Sequence, residues 1–411
     1  MCHIAKNVYN DAMVILHNQY RTYGRIPSAY NLNKINSLYI NSKVLNAYVA
    51  KSIDNEAYNA MSKYVKNPKA TRCPKLLSED ELFPLIIEHK NVLASCKKRG
   101  KIKFPVSSLI TSNELENVRL KEKIIREYKD VEVKVERFEI NIPKEVKDKN
   151  IKRVNIVPRF DGRFFIVNIT YLEGKENQEI VSQNRKGTLA IDLGINNFAT
   201  CVNSNNNESF IVDGKYLKSR LQWFNKQIAY YSSHLEKDQK ITCRIASLYM
   251  HKNWTIKTYV NRASRTIINY AIKHNIKTIV VGWTYFYKDK KFKLKTQDDH
   301  KRVIQLFKQF PLAELKERIR FMCVDNGINY NEVDEKYTSK CSFYDGEEVG
   351  FHYEYLGKRI KRGLYKTKNG ILVNSDVNAA LNILKVSKTE DDETIHRLMN
   401  SGVTVPLRIR E

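Results

Sequence analysis

The sequence predicts an α/β fold in the C-terminal half of the chain, preceded by a half that is first helical and then β-rich. Three observations predict it. The apolar run Leu189, Ala190, Ile191 suits a buried strand and ends in Asp192, with Gly194 following to let backbone approach closely. A second apolar run, 278–282, is flanked on both sides by long stretches of helical period. Asp376 follows Asn374 and Ser375 and opens the periodic stretch Val377, Ala380, Leu381, Ile383, Leu384, which places a carboxylate at a helix N-terminus where it is electrostatically favoured.

Taken in order, residues 1 to about 130 carry helical patterns, with Val14, Ile15, Leu16 and Tyr20 in one and Leu45, Tyr48, Val49 and Ile53 in another. Pro68, Pro74, Pro84 and Pro105 punctuate the middle of this part. From Val131 the period changes to two: 131–135 and 138–142 alternate, and 164–171 follows the turn signal Asp161-Gly162. Beyond Arg185-Lys186-Gly187 comes the Asp192 strand, and 210–212 is expected to pair with it as a hairpin across Asn205-Asn206-Asn207. Two long helices are expected over about 215–238 and 242–274. A strand follows at 278–282, then a lysine-rich loop, a helix over about 299–325, a strand at 328–333, a basic loop and the Asp376 helix.

Composition narrows the partner. Lys plus Arg number 71 against 45 Asp plus Glu in 411 residues, a formal charge of +26 and a pI of about 9.6. Such a field points to a polyanion. No stretch approaches the roughly 20 apolar residues of a membrane span, and the opening residues lack the pattern of a secretory signal. An intracellular, cytoplasmic protein associated with nucleic acid is expected, with a monomer favoured. The seven cysteines, at 2, 73, 96, 201, 243, 323 and 341, show no paired spacing, so neither a disulfide framework nor a zinc site is indicated. No Gly-x-x-x-x-Gly-Lys loop occurs, so use of ATP is not indicated. If the fold brings the tips carrying Asp192 and Asp376 together, hard carboxylate oxygens would make a divalent-cation site of the magnesium type.

A β-hairpin, helices, strand, helix, strand and a final helix with acids at the ends is the order of a ribonuclease H-like fold. Several motifs then stand in register with one family: Asp192-Leu-Gly-Ile-Asn-Asn-Phe-Ala-Thr200, Asn261-Arg-Ala-Ser-Arg265 before Ile279-Val-Val-Gly282, Glu335-Lys-Tyr-Thr-Ser-Lys340, Gly357-Lys-Arg-Ile-Lys-Arg-Gly363 and Asn374-Ser-Asp-Val-Asn-Ala-Ala380. In these the chain resembles the transposon-encoded TnpB (OrfB) family, whose members are similar to miniature type V CRISPR effectors. The resemblance covers most of the chain and is strongest from about 155 to 386. It implies a RuvC-like nuclease domain, an N-terminal helical plus β-barrel-like nucleic-acid-binding lobe, a guide RNA, target DNA and Mg²⁺-dependent cleavage. Laid on this sequence, it implies a helical recognition region at 1–130, a β-rich wedge-like region at 131–185, a nuclease core at 186–340, a basic nucleic-acid-binding insert at 341–373 and a final helix with tail at 374–411.

Two departures from the family pattern carry chemistry. The family's third metal ligand is a glutamate just after the strand equivalent to 278–281, where this chain reads Gly282-Trp283-Thr284-Tyr285. A minority branch supplies its glutamate from the next helix, and resemblance to that branch gives the role to Glu317. Helical spacing adds to this: Leu312, Leu315, Ile319 and Met322 form one stripe, and Phe310, Glu314, Glu317 and Phe321 a second. The expected catalytic and metal set is therefore Asp192, Glu317 and Asp376, with Asp334 and Glu335 in reserve. The other departure is in the insert, where relatives carry four cysteines for zinc and this chain keeps Cys341 alone. One thiol with His352 cannot close a tetrahedral site, so no zinc is expected, and packing of Phe343, Tyr344, Phe351, Tyr353 and Tyr355 is expected to hold the insert together.

Basic clusters interleaved with aromatics, able to meet phosphates and stack on bases, occur at Lys97, Lys98 and Arg99, across 288–295, and at Lys358, Arg359, Lys361 and Arg362. The function expected is an RNA-guided DNA endonuclease. The competing expectations are a guide-dependent DNA-binding repressor that has lost cleavage and, more remotely, a guide-independent nuclease for branched DNA.

Overall fold

The computed structural model describes residues 1–103, 139–172, 185–237, 239, 241–284, 309–402 and 405–410. The expected strand at 131–135, the basic run at 288–295 and the start of the helix expected from 299 lie outside the described residues. The chain divides into two compact units, Met1–Gly174 and Lys175–Glu411.

The first unit opens with helices α1 (Cys2–Tyr23), α2 (Ala29–Asn36), α3 (Ile40–Val44) and α4 (Ala47–Lys66). Gly24 ends α1 in the left-handed conformation, with φ 66°, and Asn46 caps α4 by accepting from the Tyr48 amide. There follow β1 (Leu85–Ile87), α5 (Lys90–Arg99), β2 (Lys101–Lys103), β3 (Glu139–Asn141), α6 (Lys144–Lys147), β4 (Asn150–Arg159) and β5 (Phe164–Leu172). The turn at Asp161-Gly162 joins β4 to β5 as expected, with positive φ at Phe160, Asp161 and Gly162. Ala5, Val8 and Ala12 of α1, Val49, Ile53 and Ala57 of α4, and Leu85, Ile87, Val154 and Ile156 of the sheet share one core. The sheet β1-β4-β5 is three-stranded and open, and β2 pairs only with β3. Among the described residues the strands of this unit do not close into the expected barrel, because a barrel needs a continuous staggered ladder and here α1 and α4 contribute much of the shared core.

The second unit is built on a six-stranded mixed sheet in the order β10-β9-β6-β7-β8-β14. Its elements are β6 (Thr188–Leu193), β7 (Asn197–Asn203), β8 (Ser209–Asp213), α7 (Lys215–Ser233), α8 (Cys243–Lys273), β9 (Thr278–Gly282), α9 (Leu312–Asp325) and β10 (Asn329–Val333). They continue with β11 (Lys358–Lys361), β12 (Leu364–Lys366), β13 (Leu372–Asn374), α10 (Ser375–Ser387), α11 (Asp392–Asn400) and β14 (Leu407–Ile409). β6, β7 and β8 form an antiparallel meander, so 210–212 pairs with β7 rather than with the Asp192 strand. β9 joins β6 in parallel and β10 joins β9 in parallel. Strand alternation assigns the two faces of the sheet. Leu189, Ile191 and Leu193 of β6 share a core with Leu217, Ile267, Leu315 and Ile319 from α7, α8 and α9. Ala190, Val202 and Val280 point the other way, into a core with Val377, Ala380, Leu381 and Ile383 of α10. The basic loop expected before α10 contains a small antiparallel sheet, β11-β12-β13.

Candidate active site

Asp192 alternates with Ile191 and Leu193 and so shares the face of Ala190, toward α10. The parallel register pairs Ile191 with Val281, which sets Asp192 level with Gly282 at the end of β9. Asp376 stands in the first turn of α10, whose N-terminus is closed by the Asn374 side chain accepting from the amides of Asp376 and Val377 at 3.0 and 3.1 Å. Asn197, at the start of β7, donates to Asp376 Oδ2 at 2.5 Å, and Ser375 Oγ donates to Oδ1 at 3.2 Å. The sheet and the helix thus converge on one cluster from separate stretches of chain.

A third acid joins them from the end of β10. Val333 lies on the α10 face, and Glu335 follows two residues later, its Cβ 3.3 Å from where a side chain on Gly282 would begin. Burial comes first, then the negative charges of Asp376 and Glu335, in raising the Asp192 carboxyl well above the usual carboxylate range, with Arg359 opposing them. The Arg359 guanidinium lies 3.6 Å from Asp376 Oδ1 and donates to Ser375 Oγ at 3.1 Å. Thr200, directly opposite Asp192 on β7, keeps a buried Oγ1 without a hydrogen-bond partner. The nearby Cys201 thiol is pushed well up by burial and by the charge of Asp192, so it is a neutral core group.

Among the described residues no three His, Cys, Asp or Glu side chains are drawn up into a ready metal shell. The donors near Asp192 nevertheless fit a hard divalent cation in kind. They are carboxylate oxygens in excess over the single arginine acting on Asp192.

Glu317 stands elsewhere. Helix α9 packs on the face of Leu189 and Ile191, opposite the face to which Asp192 points. Glu317 is half-exposed there and paired with Arg320 at 2.9 Å and Lys316 at 3.3 Å. Lys316 also binds both oxygens of Glu332, the residue before Val333, at 2.9 Å, which confirms that this cluster occupies the α9 side of β10. Of the expected stripe of Phe310, Glu314, Glu317 and Phe321, the last three face outward from the core built by Leu312, Leu315 and Ile319, whereas Phe310 is buried in that core. Asp334 is exposed and accepts from Thr284 Oγ1 and the Lys336 amide.

Of the basic candidates, Lys97, Lys98 and Arg99 are exposed in the last turn of α5, where Lys97 Nζ donates to the Asp148 carbonyl at 3.2 Å. Lys358, Arg359 and Lys361 lie exposed on β11, with Arg362 in the turn after it. Sequence reading missed Asn197 as a partner of Asp376 and Arg359 as a partner of the acids. The one available signal for Asn197 was its place in the Asp192 motif.

Residues 172–285 match the family model OrfB_IS605, described as a probable transposase, and residues 313–383 match that of the Cas12f1-like TNB domain. Among solved structures, the cryo-EM structure of a Cas12f1–sgRNA–target DNA complex covers 92% of this chain and 80% of its own, with a TM-score of 0.56 at 16% identity. That is a likeness of fold. A second structure, of a CRISPR-Cas12f ternary complex, covers 94% of this chain and 80% of its own, with a TM-score of 0.33 at 14% identity. No curated protein matches the chain in sequence. No helix among the described residues is long and apolar enough to cross a membrane.

Proposed function

We propose that this chain, which matches the OrfB_IS605 model over 172–285 and the Cas12f1-like TNB model over 313–383, is an RNA-guided endonuclease of the TnpB (OrfB) kind that cuts target DNA at the cluster of Asp192, Asp376 and Glu335. The observation that carries the reading is the convergence of Asp192 and Asp376, 184 positions apart in the sequence, on one face of the sheet with Glu335 beside them. In this assignment Glu335 takes the third position that the sequence pattern gave to Glu317, because Glu317 is on the opposite face.

The three acids would hold Mg²⁺, which when bound neutralises phosphate charge and lowers the pKa of a water nucleophile. The chain's own residues do the rest. Asp192, rigid within a paired strand, fixes the centre of the site. Asn197 and Ser375 hold the Asp376 carboxylate in one orientation through its two oxygens. Arg359, about half-exposed, is in reach of a phosphate oxygen, and a guanidinium meets phosphate in a planar, paired geometry. The Asn374 cap directs the N-terminus of α10 at the same place, which favours an anionic substrate. The excess of +26 charges supplies backbone attraction for guide and target, while base pairing reads sequence. The exposed cations Lys97, Lys98 and Arg99 of the first unit and Lys358, Lys361 and Arg362 of the second are assigned to that contact. The lobes expected from the sequence, 1–130, 131–185, 186–340, 341–373 and 374–411, are proposed as its functional divisions.

The test is cleavage of a DNA duplex complementary to the RNA that co-purifies with the protein, with and without Mg²⁺. Asp192→Ala and Glu335→Gln should each abolish cutting while RNA binding stays at the parental level, and Glu317→Gln should cut normally. Parental cutting by Glu335→Gln together with loss in Glu317→Gln would return the third role to Glu317. Parental cutting by Asp192→Ala would end the nuclease assignment.

A further inference from the structure

Helices α2, α3 and α4 of the first unit border a cleft of about 310 Å³. Asn33 of α2, Ser42 of α3 and Asp54 of α4 line it, and each brings an oxygen. Asn33 Oδ1 and Ser42 Oγ are buried and have no hydrogen-bond partner among the described residues. Ser42 is 6% exposed and Asp54 3%. The neighbouring hydroxyl and amide of the lining are already used, since Ser37 Oγ donates to the Lys34 carbonyl at 2.8 Å and Asn46 Oδ1 accepts from the Tyr48 amide at 3.0 Å.

Asp54 adds a negative charge to these two orphaned oxygens. Asn36 Nδ2 donates to its Oδ1 at 2.5 Å, and the charge that bears on it is that of a second carboxylate, Asp11 of α1. Lys43 and Lys51 border the cleft, but both are exposed and neither is among the charges acting on Asp54. Water in the cleft would donate to Asn33 and Ser42. It would not balance the carboxylate, whose burial is costly unless a positive charge accompanies it.

The donor set fixes the class of that charge. Three hard oxygens, one charged and two neutral, suit an alkali or alkaline-earth ion rather than a soft metal. One carboxylate balances one charge, and a divalent ion would leave a buried excess beside Lys43 and Lys51. We propose that Asn33, Ser42 and Asp54 form a site for a monovalent alkali cation, K⁺ or Na⁺, which ties α2, α3 and α4 together. The site is independent of the acid cluster of the second unit and of the cleavage assigned to it.

The experiment follows amide exchange of the full chain with its co-purifying RNA at pH 8, as KCl, NaCl or MgCl₂ replaces tetraethylammonium chloride at constant ionic strength. Exchange over α3 and α4 should slow saturably in K⁺ or Na⁺, by about tenfold once the ion is in about tenfold excess over its dissociation constant. The sheet of the second unit should exchange as before. Asn33→Ala, Ser42→Ala and Asp54→Asn should each remove the dependence, and Lys51→Gln should keep it at a lower ion concentration. The ion that acts at the lower concentration is the one the site selects. Equal exchange in K⁺, Na⁺ and tetraethylammonium would overturn the site and leave the cleft to water. Slowing by Mg²⁺ at lower concentrations than by either monovalent ion would overturn the monovalent assignment. Slowing that survives in all three variants would place the ion elsewhere, on the RNA or another part of the chain.

Discussion

Asn197 Nδ2 lies 2.5 Å from Asp376 Oδ2, joining the start of β7 to the first turn of the last long helix. The same amide's oxygen accepts from Arg408, which is itself paired with Asp213. Asp376 is therefore held by a chain of polar contacts reaching the edge of the sheet. Asn197→Ala should lower the single-turnover cleavage rate by roughly 10- to 100-fold, the usual cost of removing an orienting partner. Guide and target binding, followed by electrophoretic mobility, should be unchanged. A variant that cuts at the parental rate would mean that Asn197 only closes the sheet edge.

Gly282 marks a tight passage between the strand carrying the site and the helix covering it. A Cβ there would fall 2.4 Å from Ile383 Cδ1 and 3.3 Å from Glu335 Cβ. Gly282→Ala should cost about 1–3 kcal/mol of stability by overpacking, read as a lower midpoint in urea unfolding. Ile383→Val, which removes the clashing methyl, should recover part of that loss in the double variant. Additive losses would show that the clash is relieved elsewhere.

How legible this was in the sequence depended on whether the signal was local. The strand at 278–282 and the helices α7 and α8 were readable because each carries its own period and its own breakers. β7 was not separated from β6, since Phe198, Ala199, Cys201 and Val202 are buried on both faces and read as one apolar continuation. Glu335 stayed in reserve behind Glu317 for a different reason. The amphipathic stripe of α9 shows which side of the helix is buried, but not which face of the sheet buries it. That is settled by the parallel placement of β10, where Glu332 goes to α9 and Val333 to α10. That Asp192 ends a strand and Asp376 opens a helix was legible because a strand tip and a helix start are local features.

The insert after β10 is held by side chains binding backbone. Asn378 and Asn382, both fully buried on α10, each donate to the Cys341 carbonyl at 2.8 Å, and Asn382 reaches Thr338 as well. Glu347 accepts from the amides of Ser342 and Leu356, and the Tyr365 hydroxyl donates to Lys340. Phe343 is buried, whereas Phe351 and Tyr353 are exposed, so the aromatic residues contribute less than expected. Asn382→Ala should take the side-chain donor from the Thr338 carbonyl, leaving Cys341 to Asn378 alone, at a cost of about 1–3 kcal/mol, visible as faster amide exchange in 338–350. A zinc-selective chelator should leave the exchange pattern of the parental protein unaltered. Loss of protection on chelation would show that a metal shares the work.

The first unit contains a pH-dependent element independent of the acid cluster. Asp54 is buried on α4, accepts from Asn36 Nδ2, and is raised from 3.8 to about 7, chiefly by burial and further by Asp11 against the Asn36 hydrogen bond. Between about pH 4 and pH 7 the folded protein keeps a proton that the unfolded chain releases. Stability therefore falls as pH rises through that window and is flat above it. The full span is on the order of 4 kcal/mol. Asp54→Asn keeps the acceptor for Asn36 and removes the ionisation, so its stability should be flatter with pH and should exceed that of the parental protein at pH 8. The measurement is urea unfolding at pH 5, 6, 7 and 8, followed by a probe in the first unit. Parallel pH profiles for the two proteins would show that Asp54 ionises without penalty, and that water or a cation reaches it.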